Sequence, residues 1–125
     1  MLQLRLQACP ESASMLRECL CSWLETAGAA KKDVFEVSLA ATEAFANAVL
    51  HPRNANTPVV DVTACMTDHS VRLSIRDYGT WQDGSTPNRN GGYGLPMMRL
   101  LMDGVDVQAD RDGTTVTLWR ALTLH

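Results

Sequence analysis

The stretch Pro58-Val-Val-Asp-Val-Thr-Ala-Cys-Met-Thr-Asp-His-Ser-Val-Arg-Leu-Ser-Ile-Arg-Asp77 decides the fold. Within it, Val71, Leu73 and Ile75 alternate with Arg72, Ser74 and Arg76, the period-two pattern of a strand with one buried face. Residues 58 to 66 are equally strand-like, and Asp68-His69 joins the two runs. Strands joined by so short a turn pair antiparallel. Residues 2 to 7 place Leu2, Leu4 and Leu6 on one face and Gln3, Arg5 and Gln7 on the other, which reads as a further half-buried strand. Two last strands are expected near 104 to 109 and 114 to 120, around an Asp112-Gly113 turn typical of a hairpin.

Helices fill the intervals. Pro10 sits where a first helical turn accepts it, Leu16, Leu20, Trp23 and Ala27 form a stripe, and Gly28 ends it. A second helix is predicted to start at Asp33, capped by that side chain with Glu36 completing a capping box. It should run to about His51, because Pro52 forbids much further helix. A polar turn, 53 to 57, follows. Residues 78 to 93 are rich in Gly, Asn, Asp, Ser and Thr without periodicity, and a short helix begins near Gly94 with Leu95, Met98, Leu101 and Met102. The order β-α-α-β-β-loop-α-β-β predicts an α+β two-layer sandwich, a mostly antiparallel mixed sheet covered on one face by helices.

The chain has 125 residues, one domain spanning 1–125 with no room for a second core. With 46% hydrophobic and 20% charged residues it is not a disordered chain. A net charge of −3 argues against direct nucleic-acid binding, which favours a basic face. No apolar run reaches the roughly 18 residues that cross a bilayer, and the first residues do not read as a signal peptide, so the expectation is a soluble cytoplasmic protein with no membrane partner. Cys9, Cys19, Cys21 and Cys65 show no CxxC spacing, and reduced, structural thiols are expected.

Three places depart from a plain sandwich. Glu43 and Asn47 lie one helical turn apart, with Ala40 before them and His51 after, while Val34, Val37, Ala41, Phe45 and Ala48 supply the core stripe. A carboxylate and a carboxamide on one face can hold a divalent cation or order a hydroxyl; they can equally be a solvated face. Asp77 ends the core-facing stripe of its strand, where a buried charge needs a partner. It can accept from an amino group such as adenine's, with Gly79 letting a flat ring approach, or it can simply form the turn that ends the strand. Gly91-Gly92-Tyr93-Gly94-Leu95 opens a helix with glycines whose N–H groups favour an anion, although it lacks the residues of a P-loop.

Taken together, these segments resemble the histidine-kinase-like (GHKL) ATPases. Residues Glu43 to His51 look like the N box, Asp77-Tyr78-Gly79 like the DxG box, Gly92-Tyr93-Gly94-Leu95 like the GxG box, and Gly113-Thr114 like the final GT motif. The spacing and length are most similar to the bacterial anti-sigma factor and serine-protein kinase branch. The resemblance implies ATP or ADP with Mg²⁺ between the N-box helix and a lid, about 79 to 93. It implies Asn47 as the Mg²⁺ ligand and Glu43 as the base toward a substrate serine. It also implies Asp77 and, through a water, Thr114 at the adenine, Gly79 beside the ring, and the backbone from Gly92 to Gly94 at the phosphates. His51 and Arg89 are the auxiliary phosphate candidates. The partners implied are a sigma factor and an anti-sigma factor antagonist phosphorylated on serine, with homodimers common among members. Arg89 is the one basic residue of the lid, which keeps two alternatives in view: a nucleotide-binding anti-sigma module without phosphoryl transfer, and the detached ATPase domain of a two-component kinase.

Overall fold

The computed structural model describes residues 1–50, 54–80 and 94–124. The chain begins with strand β1 (Leu2–Gln7), a 3-10 turn (Pro10–Ser12) and helix α1 (Ala13–Thr26). Helix α2 (Lys31–Leu50), strands β2 (Asn54–Thr67) and β3 (Ser70–Thr80), helix α3 (Gly94–Leu101), and strands β4 (Gly104–Asp110) and β5 (Gly113–Ala121) follow. The five strands form one sheet in the order β1-β2-β3-β5-β4, and every described pair is antiparallel. The turn between β2 and β3 holds Asp68 and His69 at φ 49° and 66°, the double positive φ of the tight hairpin that matches strand twist.

The register explains the core. Leu6 faces Val60, Val62 faces Ile75 and Ala64 faces Leu73, while Leu73 and Ile75 face Leu118 and Val116 of β5. These side chains share one sheet face, and Leu16, Leu20 and Leu24 of α1, Val37, Ala41 and Phe45 of α2, and Met98 of α3 close over it. Each fully buried Leu, Val or Phe contributes about 1.5–3 kcal/mol. The helix α1 stripe therefore continues through Leu24 rather than to Ala27, which is the exposed C-cap. Beyond it Gly28, at φ 90°, donates to the Glu25 carbonyl and Ala29 to the Leu24 carbonyl, the paired bonds of a Schellman stop. Met102 is buried with Met98, whereas Met97 lies on the outside.

Three local expectations are corrected. Asp33 does not cap α2, which starts two residues earlier; its carboxylate accepts from the Arg120 guanidinium at 2.5 Å and from the Thr123 N–H at 2.7 Å. Glu36 turns to the same guanidinium at 2.8 Å, so the capping-box pattern is spent on a tertiary ion pair. Residues 54 and 55, expected in a polar turn, extend β2 and pair with Thr80 and Gly79 beyond a register shift. Ala40 is fully buried, because α2 packs against both α1 and α3 and hides a wider stripe than one sheet contact requires. Cys9, Cys19, Cys21 and Cys65 are free thiols, each half-buried.

Candidate functional site

At the end of β3 the apolar stripe Val71, Leu73, Ile75 is continued by Asp77, which is 7% exposed. Its direct neighbour across the ladder is Thr114 of β5, 3% exposed, so a carboxyl and a hydroxyl side chain sit together at the edge of an apolar floor. Asp77 Oδ1 accepts the Gly79 N–H at 3.1 Å. Asp77 does not end its strand, which runs on to Thr80, and this one bond does not use up a carboxylate that offers about four acceptor positions. Gly79 is buried beside it.

Glu43 and Asn47 stand on α2, which packs against β3, β5 and α3. Both side chains are half-buried, flanked on the core side by the buried Ala40, Ala41 and Ala44. A helix lined with alanines lies close to the sheet, and the two polar groups then emerge one turn apart at the border between core and solvent. Among the described residues, no three His, Cys, Asp or Glu side chains come together as a metal cage. A donor set of one carboxamide with a neighbouring carboxylate fits Mg²⁺, which keeps waters and takes phosphate oxygens for the rest of its octahedron.

Gly94 opens α3, and Leu95 is half-buried against the core. Pro96, in the first turn, costs no intrahelical hydrogen bond there. The candidates His51, Arg89, Gly92 and Tyr93 lie outside the described residues, as do 81 to 93 of the expected lid. Among the described residues no helix is long and apolar enough to cross a membrane.

Two polar assemblies were not foreseen. One is the Arg120 clamp, in which the guanidinium also donates to the Leu101 carbonyl at 2.9 Å and so ties the end of α3 to the start of α2. The other covers the open sheet face. Arg5 grips both oxygens of Asp61 at 2.8 Å, and the Tyr78 hydroxyl donates to Asp61 Oδ2. The Arg5 hydrogen bonds outweigh burial and, with the Tyr78 hydroxyl, hold the Asp61 carboxyl at about 2; the same contact, with burial, raises the Tyr78 phenol. Alternation puts Arg72, Ser74 and Arg76 on one face; it does not show that Tyr78 joins them or that Asp61, 17 positions away, receives the phenol.

The model of the histidine kinase-like ATPase domain family matches residues 6–120. The chain is similar to the serine-protein kinase RsbW of Staphylococcus epidermidis, 28% identical over 134 aligned positions that take in 94% of this chain and 84% of the relative. RsbW of Staphylococcus aureus is 27% identical over the same shares. Among solved structures it is similar to the RsbU and RsbW domains of Rv1364c from Mycobacterium tuberculosis, with a TM-score of 0.82 and 29% identity. That match covers 98% of this chain and 32% of the other, so this chain spans about a third of the solved chain it matches. A five-stranded sheet with its helices on one face, a buried aspartate and threonine at the end of adjacent strands, and the extent of these matches lead to one assignment: the chain belongs to the histidine kinase-like ATPase family, in the branch that includes the RsbW serine-protein kinases.

Proposed function

We propose that this chain is a bacterial anti-sigma regulatory factor that binds ATP with Mg²⁺ and phosphorylates a serine of an anti-sigma factor antagonist. The observation that carries the reading is the buried pair Asp77 and Thr114 at the end of the apolar floor, on the face that α2 covers with Glu43 and Asn47. Asp77 accepts from the adenine amino group, directly and with Thr114 through a water. Gly79 leaves the ring room, and the backbone around Gly92 to Gly94, together with His51 and Arg89, faces the phosphates. Asn47 would hold the Mg²⁺, which would supply charge neutralisation for phosphoryl transfer.

Glu43 accepts the serine hydroxyl proton as the serine oxygen bonds to the γ-phosphorus and the bond to the ADP oxygen breaks. The sigma factor is the partner held in the absence of competing antagonist, the chain works in the cytoplasm, and it pairs with a second copy. Calorimetry with ATP and ADP, with and without Mg²⁺, tests the pocket: metal-dependent binding should be lost in Asn47→Ala. Transfer of labelled γ-phosphate to the cognate antagonist should vanish in Glu43→Ala while binding persists. Transfer that survives in Glu43→Ala removes the assigned base; binding without transfer by the wild type reduces the protein to a nucleotide-dependent sigma-binding module, the outcome that the sparsely basic lid would suit.

A further inference from the structure

Among the described residues of β3, Tyr78 is the one with no register partner on either side. Pairing with β5 ends at Asp77 and Thr114. Pairing with β2 jumps from Val60–Asp77 to Ala55–Gly79, leaving residues 56 to 59 out of register opposite Tyr78. Asp77 and Gly79 are ladder-paired on either side of it, and a fixed geometry between them needs a restraint on the unpaired Tyr78 itself.

The Tyr78 side chain supplies one. It stands on the sheet face opposite Asp77, as the pleat requires. There its hydroxyl donates to Asp61, which Arg5 holds through both oxygens. The Arg76 guanidinium lies 5.3 Å from the centre of the Tyr78 ring, and it donates to Thr115 Oγ1 at 3.0 Å and reaches Asp110 Oδ2 at 3.4 Å. The relay runs across all five strands: Arg5 on β1, Asp61 on β2, Tyr78 and Arg76 on β3, Thr115 on β5 and Asp110 on β4. It passes directly behind the segment that carries the adenine acceptor in the proposed function.

We propose that Tyr78 is a positioning residue for base selectivity: anchored on Asp61, it fixes the Asp77–Gly79 segment so that the pocket discriminates the adenine amino group. This rests on the nucleotide-binding reading given above. Tyr78 touches no part of the nucleotide and acts through Asp77. Because the relay lies on the face away from α2 and α3, its loss falls on recognition of the base and spares the contribution of metal and phosphates.

The test is calorimetric binding of ADP and GDP, each with Mg²⁺, to wild type, Tyr78→Phe, Asp61→Ala, Asp61→Asn and the double variant Tyr78→Phe/Asp61→Ala. Circular dichroism and thermal unfolding establish that each variant is folded. GDP carries an oxo group where adenine has its amino group, so the ratio of the two affinities reads base discrimination. Removing a hydrogen bond to a charged acceptor should weaken ADP by about tenfold in Tyr78→Phe and shrink the ADP preference, with the Mg²⁺ dependence unchanged. Asp61→Ala should act alike, and the double variant should be no weaker than the poorer single, since both remove one link. Asp61→Asn keeps an acceptor oxygen and should keep most of the preference. The inference is overturned if Tyr78→Phe holds ADP affinity and preference within about twofold, or if it loses ADP and GDP equally, as a merely structural residue would. A wild type that binds neither nucleotide overturns the nucleotide reading and this inference with it; a binding wild type with an unaffected Tyr78→Phe overturns this inference alone.

Discussion

The carbonyl oxygen of Asp77 occupies the place a side chain at Gly113 would need: a Cβ built on Gly113 would lie 1.9 Å from it. Gly113 is also held at φ 152°, where residues with a side chain are strained. The backbone of β3 thus closes against the start of β5 just where the ladder ends, and this approach brings Thr114 opposite Asp77. The glycine of the Gly-Thr pair is therefore part of how the buried carboxyl is placed, without contributing any chemistry of its own.

Gly113→Ala should force these strands apart. We expect a loss of stability of about 1–3 kcal/mol, the scale of a strained backbone position, together with weaker binding of adenine nucleotides. Gly104→Ala is the matched control. Its Cβ would meet the Trp119 ring at 2.0 Å, far along the sheet from Asp77, so stability should fall while nucleotide affinity is retained. Thermal unfolding and calorimetry on both variants check the contrast; equal affinity losses would show that the Asp77–Gly113 contact has no special role in the site.

Arg120 makes the second prediction. Its side chain is 14% exposed and its partners Asp33 and Glu36 are 9% and 24% exposed, so deleting the guanidinium strands two carboxylates in a shielded corner. Arg120→Met should cost about 3–5 kcal/mol, the range for removing one partner of a buried ion pair. Adding Asp33→Asn and Glu36→Gln should recover part of that, because the stranded charges are gone while the Thr123 N–H retains an acceptor at residue 33. Urea unfolding of the single and triple variants measures it. A triple variant no more stable than Arg120→Met would mean that lost packing, and not the uncompensated charge, sets the cost.

The contrast between Leu73 and Asp33 shows what the chain discloses by itself. Strand periodicity is local, so Val71, Leu73 and Ile75 announce a buried face, and Asp77, next in the alternation, lands buried on that face as expected. The same locality placed Glu43 and Asn47 one turn apart on α2. Asp33 and Glu36 carry an equally local capping signature, yet the partner they take, Arg120, is 87 and 84 positions away, and an ion pair in a shielded corner outweighs a cap worth about 1 kcal/mol. Ala40 falls with the polar face in the helical pattern because one helix on one sheet needs only a narrow stripe; flanking by α1 and α3 widens it. The Tyr78 relay was hidden for a further reason. It depends on a register shift in β2, and nothing in the alternation of a strand reveals where its partner slips.

Stability should depend on pH through opposite shifts at Asp61 and Tyr78. Asp61 titrates at about 2 in the folded chain, chiefly through its hydrogen bonds from Arg5, against an ordinary aspartate value near 4. A group lowered on folding binds fewer protons in the native state, so its stabilisation is fully present above about pH 4 and is lost as pH falls toward 2. Tyr78 is shifted the other way, raised by its hydrogen bond to Asp61 and then by burial. Its share of stability is present below the ordinary tyrosine value of about 10 and is lost as pH rises through the folded value. Unfolding of wild type and Asp61→Asn should therefore differ most at neutral pH and converge in acid. Asp110, whose carboxyl is also lowered, by the Asp112 N–H first and then by Arg76, is present in both proteins and largely cancels from the difference. At alkaline pH, wild type should lose stability where Tyr78→Phe does not. A wild-type-to-Asp61→Asn gap that stays constant down to pH 2 would mean that the Arg5–Asp61–Tyr78 contact carries no linked proton, and that the relay is held by shape alone.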